Sequence, residues 1–196
     1  VRCFEDENII HVEGNVNPVR DIETINAELV LADLDTVDKN LSKYSKIAKS
    51  GNKEAKELTA VLEKIKPHLE EFKFIKTLDL TEPEMDLIRQ YQFITLKPFV
   101  FAANVAEDDL ATGNEYVEIV RKYAAEHDAE VVIVSAKVEA ELSELEEEEK
   151  MAFLSELGVE ESGLNRLIRV GYKLLGLITY FTAGVQEVRA WTIKSR

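Results

Sequence analysis

Two short strings carry the residue types best suited to chemistry: Asn104-Val105-Ala106-Glu107 and Ser135-Ala136-Lys137. Each closes a continuous apolar run, Pro98 to Ala103 in the first case and Val131 to Val134 in the second. Such runs suit strands buried on both faces, as in a parallel sheet, and open α/β sheets bind ligands beyond the carboxyl ends of their strands. The two strings are therefore expected on one rim. A carboxamide, a carboxylate and the hydroxyl and backbone groups of a Ser-Ala turn gathered there offer hydrogen-bond donors and acceptors to a ligand. Ordinary strand-end loops also carry either string alone; the pair, one βα unit apart, is the informative observation.

A second set of candidates is basic. Residues 38–66 hold eight lysines against four acidic residues, and Lys39, Lys43, Lys46 and Lys53 follow one another at spacings of 4, 3 and 7, with Lys49 and Lys56 close by. A basic helical stripe can lie along an RNA backbone, where each phosphate contact adds salt-sensitive affinity and little sequence specificity. The alternative is a solvated lysine face that keeps the helices soluble. The one aromatic residue among these lysines, Tyr44, belongs to the apolar seam, so base stacking is not expected. His11, His68 and His127 are far apart without ligand spacing, which argues against a metal site. Cys3 beside Phe4 reads as a small buried side chain. The acidic run 144–149 reads as an exposed helix start, and Trp191 as the core of a β-rich unit.

The elements that must position these residues follow from periodicity. Ala27, Val30, Leu34, Val37, Leu41, Tyr44 and Ala48 alternate spacings of 3 and 4, the seam of a helix packing on a partner. Ser50-Gly51-Asn52 breaks the pattern. Ala55, Leu58, Leu62, Ile65, Leu69 and Phe72 resume it, so two antiparallel helices from Asp21 onward can bury matching stripes, with Pro67 expected to kink or shorten the second. Thr81-x-x-Glu84 has capping-box spacing and predicts a helix to about Phe93. Residues 116–126 have helical spacing between the two apolar runs, which implies a right-handed βαβ unit. Val1 to Phe4 is compatible with a strand end, followed by an acidic turn and Ile9-Ile10-His11-Val12. Ser143-x-x-Glu146 is expected to open a helix running to Gly158, and Ser162 to cap one ending at Gly176. Residues 177–181 and 187–193 then flank Gly184 as a β-hairpin.

In nucleotide hydrolases of the GTPase type, Asn-Lys-x-Asp after one strand and Ser-Ala-Lys after the next read the base together. The Asn holds loop and base, the Asp accepts from the two guanine donors, and the Ala N–H meets the guanine oxygen. Here Val105 replaces the Lys and Glu107 the Asp. A carboxylate one methylene longer fits the guanine donors differently, so guanine specificity is expected to weaken. Adenine presents a ring acceptor at that edge, so Glu107 must turn away, leaving backbone groups near Val105 and Ala136 to read the base.

Arg2-Cys3-Phe4-Glu5, Asn8 to Val12, Asn17-Pro18, Asp21-Ile22-Glu23, Leu96-Lys97-Pro98, Asn104 to Glu107, and above all Tyr180 to Gly184 with Glu187 to Ile193 resemble the YchF/Obg-like ATPase family over all 196 residues. The resemblance implies an α/β fold: part of a P-loop NTPase parallel sheet with an inserted antiparallel α-helical (coiled-coil) hairpin, plus the start of a β-rich TGS domain. It assigns residues 1–20 and 95–176 to the C-terminal half of the nucleotide domain, 21–94 to the insertion and 177–196 to the opening of TGS. It also implies ATP preferred over GTP through the Asn-x-x-Glu loop, Mg2+, hydrolysis by the intact protein, association with the ribosome or RNA, a monomer, and a cytoplasmic location without a membrane.

Base contacts then fall to Asn104, Val105 (through its backbone), Glu107, Ser135 and Ala136, and RNA contacts to Lys39, Lys43, Lys46, Lys49, Lys53 and Lys56. None of the eight glycines is followed by Lys-Ser or Lys-Thr, so the phosphate cradle and the Mg2+ ligands are expected outside these residues, with no catalytic or metal residue here. These 196 residues alone are then expected to bind ATP weakly or not at all. A reading of another class remains beside this one: an RNA- or ribosome-binding module whose basic hairpin is the working part and whose nucleotide loop is vestigial.

Composition bounds both readings. The chain has 45% apolar and 32% charged residues, enough for a buried core, and no apolar stretch approaches the roughly 18 residues of a membrane span. One cysteine excludes an internal disulfide and suits a reducing compartment. The start at Val1 and the β-rich stretch at the end read as the middle of a longer protein. The net charge of -14 would argue against a polyanionic partner, but residues 107–161 carry 18 acidic and four basic residues, so the remainder sums to zero.

Overall fold

The computed structural model describes residues 1–9 and 13–195, in two units: Val1–Asp21 with Phe99–Arg196, and Ile22–Pro98. Ile10, His11 and Val12, read above as part of an apolar run, lie outside the described residues.

The first unit is α/β. Strands β1 (Val100–Asn104) and β2 (Glu130–Val134) pair in parallel, Val100 opposite Glu130 through to Asn104 opposite Val134. Their continuous apolar runs are what burial on both faces requires. Helix α4 (Glu115–Glu126) connects them and buries Val117, Val120 and Ala124, one face at spacings of 3 and 4. Along the other side of β1, Arg2 bridges Asn104 in parallel, the Cys3 N–H donates to the Asn104 carbonyl at 2.8 Å, and the Asn104 N–H donates to the Val1 carbonyl at 2.8 Å. The expected strand end at Val1 to Phe4 is thus a short parallel neighbour of β1. Cys3 is fully buried, and that burial pushes its thiol up to about 11.

Helix α5 (Ala136–Ser143) follows β2 directly, and α6 (Glu147–Glu156) follows α5. Ser143 therefore ends a helix instead of opening one: its hydroxyl bonds back to the Ala140 carbonyl at 2.7 Å. The cap of α6 is Glu146, paired reciprocally with Glu149, so a carboxylate performs the role expected of the serine three residues earlier. Ser162 caps α7 (Gly163–Leu174) as expected, accepting from the Asn165 N–H at 3.2 Å. Gly163 opens α7 where a Cβ would meet the Val134 Cα at 3.0 Å, so only a residue without a side chain lets this helix approach β2. β3 (Leu177–Ala183) and β4 (Val188–Lys194) form the antiparallel hairpin. Trp191 is 44% exposed, not core; its indole N–H donates to Thr182 Oγ1 at 2.9 Å across the hairpin.

The second unit is helical. Helix α1 (Pro18–Lys49) begins three residues earlier than the apolar spacing suggests. Asn17 accepts the Arg20 N–H at 3.2 Å, and proline, which lacks a donor, suits the first helical position. Helix α2 (Lys53–Glu70) starts at Asn52, whose side chain accepts the Ala55 N–H at 2.8 Å. Val30 and Val37 of α1 and Leu58, Leu62, Ile65 and Leu69 of α2 share one core with Ile75, Ile88 and Phe93. Pro67 lies inside α2 and the helix runs on to Glu70, contrary to the early end expected of it. Only three residues follow it, so the missing donor costs one bond in the last turn. Phe72, read into the apolar stripe, is exposed at φ +57° beyond the helix. The Thr81–Glu84 capping box opens α3 (Glu82–Ile88), which passes into a 3-10 turn at Arg89–Tyr91 before Gln92 reverses the chain at φ +52°. Among the described residues no helix is long and apolar enough to cross a membrane.

Sequence periodicity gives no sign of Asp33. Its carboxylate is 2% exposed and accepts the Ile94 N–H at 2.9 Å, the Thr95 N–H at 2.7 Å and the Thr95 hydroxyl at 2.7 Å. The same hydroxyl accepts from the Ile75 N–H at 3.3 Å. One side chain of α1 thereby fixes the return segment that closes this unit.

Candidate functional site

The tips of β1 and β2 border a cleft of about 510 Å³ lined by Asn104, Val105, Ala106, Glu107, Asp108, Ser135, Ala136 and Lys137, with Phe4, Glu5, Asp6 and Ile9 closing it. Parallel register puts Asn104 and Val134 side by side, so the segments that follow leave the sheet at the same level. The five residues expected at a base site, Val105 through its backbone, all line this cleft, from two segments some thirty residues apart.

Each has a defined setting. The Asn104 Oδ1 accepts the Ala136 N–H at 2.9 Å, tying one strand-end loop to the other. Its Nδ2 has no hydrogen-bond partner among the described residues, which leaves both donors to a ligand. Val105 is buried, and its N–H donates to the Val134 carbonyl at 2.9 Å, so the backbone group it can offer is its own carbonyl. Ser135, 1% exposed, precedes α5 without making a side-chain cap bond, and its Oγ has no partner among the described residues. A buried hydroxyl without a partner in a cleft wall is a group to be satisfied by a ligand or water.

Glu107 begins a 3-10 turn, Glu107–Asp109, and its carboxylate lies 3.1 Å from the Lys137 ammonium. That carboxylate, together with the charge of Glu141 and Asp108, holds the Lys137 pKa above the ordinary lysine value. Asn114, the cap of α4, steadies the turn by donating to Asp109 Oδ2 at 2.6 Å and to the Cys3 carbonyl at 2.8 Å. Gly113, at φ +75°, gives the reversal between them, where a Cβ would press on Val117 and Ile133 at 3.3 Å. Neither Lys137 nor Asn114 is among the residues that the sequence assigns to the base. The Ser-Ala-Lys string already contained the lysine; nothing local pointed to its partner thirty residues away.

The lysines lie in the helical unit, all six exposed. Lys39 pairs with Asp35, Lys53 with Glu57 at 3.7 Å, and the Lys43 ammonium sits 4.9 Å from the Tyr44 ring centre. Lys46, Lys49 and Lys56, on either side of the Ser50–Asn52 turn, have no carboxylate within 4.0 Å among the described residues. Of the histidines, His68 Nε2 sits 2.9 Å from Thr77 Oγ1 and His127 stacks on Tyr123 at 4.3 Å, both packing roles; His11 is outside the described residues.

No protein-family model matches the chain. Individual proteins match strongly. The ribosome-binding ATPase YchF of Bacillus subtilis (strain 168) is 52% identical over 196 residues, 99% of this chain and 54% of its own length. The protein of the same name from Escherichia coli O157:H7 is 55% identical over 193 residues, 98% of this chain and 53% of its own. Among solved structures, the Schizosaccharomyces pombe YchF GTPase superposes with a TM-score of 0.84 at 35% identity, covering 99% of this chain and 53% of that one. The chain spans about half the length of the curated relatives it matches.

Proposed function

We propose, for a chain that belongs to the YchF family over the span it covers, that it forms the base-reading part of the nucleotide site in a ribosome-associated ATPase. The observation that carries this reading is the Asn104 clasp: one carboxamide joins the two strand-end loops across a cleft lined by Asn104, Val105, Glu107, Ser135 and Ala136. The base is adenine in preference to guanine. The Val105 carbonyl accepts from the adenine amino group, the Asn104 amide donates to a ring nitrogen, and Ser135 supplies a hydroxyl to the same pocket. The domain limits drawn from the resemblance, with residues 177–196 opening a TGS domain and the protein working as a cytoplasmic monomer, belong to the same proposal.

Among the described residues no Gly-Lys-Ser/Thr cradle and no group of three or more metal-ligating side chains occurs. The cleft therefore does not fit a phosphate–Mg2+ centre, and no step of hydrolysis is assigned to its residues. Competition between ATP and GTP for the whole gene product tests the base assignment. ATP is expected to bind tighter; equal affinity, or a preference for GTP, contradicts it.

The helical unit gives the same protein its RNA contact. Lys46, Lys49 and Lys56, without a carboxylate partner among the described residues, put positive charge at one end of the hairpin. Changing these three to Glu is expected to weaken binding to RNA or ribosomes and to flatten the slope of log K against log salt by about two to three, one increment per lost phosphate contact. An unchanged slope would leave the lysines as a solvated face.

A further inference from the structure

Base-site geometry raises a question that the Asn-x-x-Glu string leaves open: what keeps an anionic carboxylate from facing the ring acceptor of adenine. Glu107 lines the cleft beside Val105 and Ala136. Released into it, the carboxylate would oppose adenine and accept from the guanine donors, which is the wrong selectivity for an ATP site. Its actual partner is Lys137, 3.1 Å away across the mouth of the cleft.

Stability alone does not account for Lys137 at this place. It is the second residue of α5, where a cation opposes the helix dipole. Its side chain is 71% exposed and that of Glu107 32%, and pairs so exposed contribute little to folding. Glu141, one turn further along α5, is 3.9 Å from the same ammonium. The lysine thus bridges a carboxylate of its own helix and one from the opposite strand-end loop, and its reach is used to hold the second at the lip.

We infer that Lys137 is a positioning residue for base selectivity: it draws the Glu107 carboxylate out of the base plane, so that the cleft meets adenine with backbone and amide groups instead of a negative charge. This inference rests on the base-cleft reading above. Lys137 acts on the base through Glu107.

The test uses the whole gene product and fluorescent ATP and GTP in competition titrations. Lys137→Met frees Glu107 and is expected to lower the ATP-over-GTP preference about tenfold, mostly by weakening ATP. Lys137→Arg keeps the pair and the preference. Adding Glu107→Gln to Lys137→Met removes the charge and restores ATP binding, a rescue that a merely structural lysine would not produce. A preference within about twofold of wild type in Lys137→Met, or an equal loss for both nucleotides, overturns the inference while leaving the base cleft in place. If Asn104→Ala changes neither affinity, the base-cleft reading itself fails, whatever Lys137 does.

Discussion

Replacing Asn104 by alanine lowers nucleotide affinity about tenfold or more while leaving the fold intact. The carboxamide works from both ends. Oδ1 holds the Ala136 N–H at 2.9 Å, and so the start of α5, while Nδ2 is left for the base. Alanine removes both functions at once: the ligand loses a donor, and the two loops lose the link that keeps their separation suited to a flat ring. β1 itself keeps its ladder, because the backbone of Asn104 still pairs with Val1 and Cys3. Titration of labelled nucleotide into the variant, with its melting temperature as a control, separates loss of the site from loss of the fold. Asn104→Asp is informative as well, since its oxygens can still accept from Ala136 but cannot donate to the base; the loop link survives and nucleotide binding does not.

Asp33→Ala is expected to destabilise the helical unit by about 3 kcal/mol or more, read as a drop in its unfolding midpoint in urea. The carboxylate accepts three hydrogen bonds at 2.9 Å or less from Ile94 and Thr95, at a depth where water cannot replace them. Truncation leaves two backbone donors and a hydroxyl without an acceptor, each carrying a desolvation cost, and adds a small void. Asp33→Asn is milder, because one amide oxygen still accepts, though its NH2 then faces a donor. A loss below about 1 kcal/mol for the alanine variant would show that Asp33 is dispensable to this unit. Thr95→Val tests the same node from the other side and is expected to cost less, since the Thr95 backbone N–H keeps its partner.

What was legible in the sequence was what depends on short-range pattern. The apolar runs at Val100 and Val131 suit buried strands and form them, the spacings of 3 and 4 along α1 and α2 suit packed helices and form them, and the caps at Thr81 and Ser162 act as their side chains predict. The misreadings come from competition between neighbours. Ser143 and Glu146 both offer a cap, and the choice fell to Glu146 because Ser143 is already the last residue of a helix that must start at the tip of β2. Pro67 breaks helices in general but sits three residues from the end of α2, so it costs its own bond and little helix lies beyond it to be disrupted. The settings of Asp33 and Lys137 were beyond reach for another reason: their partners are 62 and 30 residues away, and only the folded chain brings them together. Charge behaves likewise. The total of -14 is concentrated in residues 107–161, which include much of the cleft wall, while residues 38–66, around the turn of the hairpin, carry eight lysines against four acidic residues.

That concentration makes the cleft an unusual place for a nucleotide, and Asp6, Glu107 and Asp108 all line it. A neutral base can sit beside such carboxylates, of which Glu107 is paired with Lys137, whereas phosphates are repelled by them. The account therefore places only the base in this cleft and keeps the triphosphate away from it.

The most direct measurement of that claim is photolabelling of the whole gene product with an azido-adenine nucleotide, followed by mapping of the modified peptides. The account predicts label in the segments around Asn104–Asp108 and Ser135–Lys137, displaced by excess ATP and lost in Asn104→Ala. Label that is displaced by ATP but falls outside both segments would contradict it.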